Sequence, residues 1–134
     1  MKKIRLIIIL IIIFSIVGSA YAWLFIWNKP KQDVKDAKAI PVQATAIFTE
    51  YNTNEKTANS KYIDKIVEVT GQVSSVSKNS EGKTVVLLKT DDLMFGVNCT
   101  MEEDANINTG DQVSIKGICT GYLTDVVLIR CYKI

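Results

Sequence analysis

Hydrophobic and polar positions along the chain follow three rules in succession. From Leu6 to Trp27 there is no charge and no polar face, and every residue of Ile7–Ile13 is Ile or Leu. A helix of that length rises about 33 Å, enough to cross the hydrocarbon core, so a transmembrane helix is predicted over residues 1–27. Beyond Asn28 the pattern turns helical and amphipathic. Ala44, Ile47, Phe48 and Tyr51 fall on one face and predict a helix over about Val42–Tyr51, with Pro41 where a helix can begin. Thr53 or Asn54 can cap a second short helix, Glu55–Lys61, by accepting a bond from a free amide. Tyr62 is then expected to pack onto Ala58 or the sheet. From Ile66 the period becomes two: Val67, Val69, Gly71 and Val73 alternate with Glu68, Thr70, Gln72 and Ser74, the signature of a half-buried strand. Gly71 within it predicts a bulge or sharp bend.

Turn residues divide the rest into four more strands. Asn79-Ser80-Glu81-Gly82 precedes Lys83–Lys89; Asp91-Asp92 precedes Leu93–Thr100; Glu102–Asn106 is expected to form a helical turn before Gln112–Thr120; and Gly121–Asp125 leads to Val126–Tyr132. Five strands, the first long and bent, with an interruption between the third and fourth, is the order of an OB-fold. The stretches Asn54–Tyr62, Val69-Thr70-Gly71-Gln72-Val73 and Gly110–Gly121 resemble the bacterial tRNA_anti-like family of OB-fold proteins. The resemblance covers about Val42–Ile134 and rests on turn glycines and core spacings rather than on chemical groups. It implies a mainly β protein with an N-terminal α segment, a five-stranded OB barrel preceded by a transmembrane helix. The domains read as an anchor over 1–27, a solvated juxtamembrane linker over 28–39 and an OB domain over 40–134.

Charge assigns the anchor its direction. Lys2, Lys3 and Arg5 precede the apolar run and favour a cytoplasmic N-terminus, although Lys29, Lys31, Lys35 and Lys38, interleaved with Asp33 and Asp36, follow it. The expected location is a single pass through a bacterial inner membrane with the domain outside the cytoplasm. A cleaved signal peptide competes, because Ala20-Tyr21-Ala22 has the form of a signal peptidase site. The apolar run continues past it, and Trp23, Trp27 and Lys29 read as an interfacial belt with a basic anchor, which favours a retained signal-anchor. No cysteine near the segment offers a lipid attachment point. The net charge of +2 belongs to the N-terminus: from Ile40 onward nine basic residues face twelve acidic ones, a net of −3. That balance disfavours a phosphate backbone as partner.

Few side chains carry chemistry. The OB ligand face maps onto Lys78, Lys83, Lys89 and Tyr122, with Phe95 read as core from its alternation with Val97 and Cys99. Cys99, Cys119 and Cys131 each fall in phase with apolar neighbours, Cys131 with Val127 and Ile129, so three inward sulfurs are expected. Because the third and fifth strands of an OB barrel are neighbours, Cys99 and Cys131 are the candidate disulfide; buried free thiols fit the same residues. With no histidine and no close cysteine pair, neither a metal site nor a cofactor is expected, and no base is evident for a nucleophile. The acids Asp91-Asp92 and Glu102-Glu103-Asp104 lack the spacing of a calcium loop. The expectation is a non-catalytic module that presents its loops, especially Ser77–Lys83 and Gly121–Asp125, to a protein or an envelope component, with nucleic acid as the alternative that the fold suggests by analogy.

Overall fold

The computed structural model describes residues 1–28 and 33–134, in two units, Met1–Gln32 and Asp33–Ile134. Lys29 of the expected anchor and residues 29–32 of the expected linker lie outside the described residues. The first unit is one helix, α1, Lys2–Trp27, with no buried residue. It is long and apolar enough to cross a membrane. Its Ser19 hydroxyl donates to the Ile16 carbonyl at 3.0 Å, so that polar group is satisfied within the helix.

The second unit is a closed five-stranded barrel with two helices. A short strand β1 (Ile40–Gln43) leads into α2 (Ala44–Thr53) and α3 (Glu55–Tyr62), followed by β2 (Ile66–Lys78), β3 (Thr84–Leu88), β4 (Val97–Met101), β5 (Gln112–Tyr122) and β6 (Val126–Lys133). The barrel runs β2-β3-β4-β6-β5 and closes by β5 pairing back to β2. Closure works because β2 changes partner midway: Ile66–Gln72 pairs with β5, and Val73–Lys78 with β3. All neighbours are antiparallel except β4 with β6. β1 is a sixth strand, parallel to Val67–Thr70 on the other side of β2.

Local chemistry moves several expected boundaries. Residues 40–43 are extended, so the helix begins at Ala44 rather than Val42; Pro41, lacking an amide, is tolerated on this outermost strand. Asn54 is the cap of α3, its Oδ1 accepting from the Thr57 amide at 3.2 Å. The third barrel strand begins at Val97, not Leu93, because Asp92 Oδ1 accepts from the amides of Met94 (2.8 Å) and Phe95 (2.9 Å) and fixes a turn there. Phe95 is therefore 38% exposed instead of sitting in the core. The helical turn expected at Glu102–Asn106 does not form. The expected linker is partly structured: Val34 is only 2% exposed, and Lys116 Nζ donates to the carbonyls of Lys35 (3.3 Å) and Ala37 (2.8 Å).

The bulge in β2 falls between Val73 and Ser75, and Gly71 stays in register opposite Val113. Its small size serves a different purpose. A Cβ on Gly71 would stand 2.8 Å from the Ala44 Cβ, so the glycine lets the start of α2 press against the barrel wall. A second bulge, at Arg130 in β6, has φ 53° and shifts the register between β4 and β6. Beyond Leu128 the burial pattern skips two residues before Cys131, so Val126 and Leu128, not Val127 and Ile129, share the core with that thiol.

Gly71→Ala is expected to destabilise the protein by about 1–3 kcal/mol through overpacking against Ala44. Urea unfolding should show a lower midpoint at unchanged slope, and adding Ala44→Gly should restore part of the loss; simple additivity of the two substitutions would argue against the contact.

Candidate functional site

Strand register decides which side chains share the outer face of the barrel. Leu87 of β3 lies opposite Ser75 of β2 and Asn98 of β4, and Asn98 lies opposite Val127 of β6. In the adjacent outward row Val85 is opposite Ser77 and Thr100. The intervening residues Val86, Cys99 and Leu128 are fully buried, so these two rows point outward. An OB barrel takes its ligands on this face, over its second and third strands. Here the two rows hold no charge and no aromatic ring, only Val and Leu with Ser, Thr and Asn between them.

The cations expected on this face stand at its edges. Lys78 Nζ is 3.0 Å from Asp104, which also accepts from Thr84 Oγ1 at 3.0 Å; Lys83 Nζ is 3.2 Å from Glu102. Hydrogen bonds from Lys78 and then Thr84 hold the Asp104 carboxyl below the usual range, so this edge is paired rather than positive. Lys89 stands between two clefts, a shallow groove of about 320 Å³ that it lines with Gln43, Thr45, Gln72 and Gln112 and a smaller one that it lines with Leu87, Leu93, Met94 and Phe95. Tyr122 is half-buried and serves packing: its ring stacks on Tyr51 at 5.6 Å and meets Phe48 edge-on at 6.0 Å. Of the four residues expected to line a ligand face, only Lys78 and Lys83 share an edge.

At the opposite end of the face, two loops meet. Asp125 Oδ1 accepts from the Gly96 amide at 2.8 Å and the Gly96 carbonyl accepts from Val126 at 3.0 Å, which joins the Leu93–Phe95 turn to the β5–β6 connection. Leu93, Met94 and Leu123 project there and are 100%, 77% and 85% exposed. The sequence marks the Gly121–Asp125 loop at this end but not residues 93–95, whose alternation runs smoothly; the signal for them is Asp92, an acid two residues before the first amide it binds.

Inside the barrel the three cysteines are fully buried free thiols. Cys99 and Cys131 are on neighbouring strands, as expected for the candidate pair. Hydrogen bonding to Cys99 and burial hold the Cys131 thiol well above its ordinary range. Burial likewise raises Cys119, whose sulfur lies 3.4 Å from the Tyr51 hydroxyl. No group of three or more Cys, His, Asp or Glu side chains suited to a metal ion is found among the described residues.

The tRNA_anti-like family model matches residues 1–133. No curated protein matches the chain. Among solved structures, one from Klebsiella pneumoniae, described as a "putative nucleic acid-binding lipoprotein", is similar at 17% identity with a TM-score of 0.53, over 79% of this chain and 99% of that one. At that identity the likeness concerns the fold.

Both raised thiols are neutral in the fold at pH values where the unfolded chain ionises. Their stabilising contribution is complete below the ordinary thiol value of 9.0 and is lost as pH rises toward the folded values. The urea midpoint should therefore fall between about pH 8 and pH 10. Cys119→Ala should make that decline shallower, and an identical slope in the variant would refute the assignment.

Proposed function

Because the chain belongs to the tRNA_anti-like family and carries an apolar N-terminal helix fit for membrane association, we propose that it is a membrane-anchored, non-catalytic binding module of the bacterial envelope, holding its OB barrel outside the cytoplasm to bind a protein or an envelope component. The observation that carries this reading is the two outward rows of the barrel, Ser75, Leu87, Asn98 and Val127 and then Ser77, Val85 and Thr100, with Arg130 and Tyr132 of β6 lying beyond them. The side chains of these rows are apolar or small and neutral, and Lys78 and Lys83 beside them are paired with acids. Binders of single strands combine a positive groove with aromatic platforms that each contribute about 1–3 kcal/mol per stacked base. This face offers neither, whereas protein interfaces are built around apolar cores with few charges. Lys2, Lys3 and Arg5 at the start of α1 support the outward orientation.

Nucleic acid remains the second reading, favoured by the description of the Klebsiella pneumoniae protein. Fluorescence anisotropy with single-stranded DNA and RNA separates the two. The net of −3 from Ile40 onward predicts weak binding even at low salt; submicromolar affinity that collapses with added salt would establish the second reading instead.

Orientation is testable in cells with a membrane-impermeant thiol reagent, because the native thiols are buried and silent. Ser80→Cys in the exposed β2–β3 turn should label in intact cells, and Lys2→Cys only after lysis. The reverse pattern would place the barrel in the cytoplasm and overturn the envelope assignment.

A further inference from the structure

Leu93, Met94 and Leu123 form an apolar tip at one end of the barrel, and their exposure is built in rather than incidental. Asp92 fixes the turn through two amide hydrogen bonds, and Thr90 Oγ1, itself buried, donates to the Phe95 carbonyl at 2.7 Å. Asp125 holds the second loop against the first. A turn locked at its base presents its side chains with much of the ordering entropy already spent, which favours association.

Two features narrow what the tip can meet. Asp91 and Asp92 are exposed beside it and Asp125 is half-exposed, three carboxylates against one cation, Lys89, which lines a cleft with Leu93 and Met94. Carboxylates around the apolar groups repel anionic lipid headgroups and phosphate backbones, and they complement a basic rim. The tip also lies far from the point where the chain joins the domain. Lys35 sits 5.7 Å from the centre of the Tyr132 ring and pairs with Glu103, at the C-terminal ends of β6 and β4, whereas the tip precedes their first residues. At about 3.3 Å per residue, Val126 to Tyr132 spans roughly 20 Å.

We propose that this acidic-rimmed apolar tip is a docking knob for a protein partner that presents an apolar socket edged by Lys or Arg. The proposal rests on the binding-module reading and gives it a surface and a partner chemistry. The knob adds the Leu93–Phe95 turn to the Gly121–Asp125 loop and leaves the Ser77–Lys83 loop outside the contact.

The test places benzoylphenylalanine singly at Leu93, Leu123 or Ser80 in the full-length anchored chain and irradiates intact cells. A discrete protein adduct from positions 93 and 123 but not 80 is expected. Asp91→Lys in the Leu123 probe background should lower its yield at least fivefold, with an unchanged thermal midpoint showing that the fold is intact. An adduct insensitive to Asp91→Lys, an adduct of the mass of a homodimer, or lipid adducts alone would overturn the proposal. A protein adduct from position 80 alone would overturn the knob while leaving the binding module standing, and no discrete adduct at any position would overturn both.

Discussion

The second unit depends on one side chain that ties its helices to its barrel. Tyr51 of α2 is buried between Tyr62 of α3, at 6.1 Å between rings, and Tyr122 at the end of β5, at 5.6 Å, while its hydroxyl reaches the Cys119 sulfur. Burial is the main reason that its phenol stays protonated far beyond the ordinary range. An aromatic of this size removes some 150–250 Å² from water. Placing one where two helices and a strand meet fixes the helical pair against the barrel. Gly71 makes the approach possible at the other end of α2, and Glu50 steadies the pair from outside by accepting from Tyr62 and Lys61.

With the interior filled, function falls to the exterior. Its charges are arranged to cancel at one end of the sheet and to concentrate as carboxylates at the other. The face between them has the character of an interface centre: apolar, lightly polar, without a charge to desolvate. Such a surface gains little from long-range attraction. The proposed anchoring would compensate by confining the domain to two dimensions, where a modest affinity suffices.

Much of the fold was legible in the chain because its signals are local and periodic. The uncharged run of α1, the alternation of β2 and the turn residues before β3 and β5 each identify an element from neighbours in sequence. Errors arose where a single hydrogen bond overruled the pattern. Asp92 turns residues 93–95 out of the strand that their alternation suggests, and Asp104, bound to Lys78 and Thr84, sits in a stretch whose acids suggest a helical turn. The site was harder to see, since pairing between Lys78 and Asp104 or between Lys83 and Glu102 depends on which strands are adjacent. Tyr122 looked available from its loop position; only the packing of α2 shows that its ring is already occupied.

The bulge at Arg130 gives β6 two phases, like a reading frame shifted partway through a message. Upstream, every second residue faces the core; downstream, the count restarts one place later, and Cys131 faces inward because of it. Smoothing the bulge while keeping every residue would exchange inside for outside over Cys131 and Tyr132 together, whereas losing Arg130 along with the bulge would leave Cys131 two places after Leu128 and still inward. A core pattern extended from Val126 and Leu128 by hydrophobic alternation alone therefore slips by one beyond the bulge.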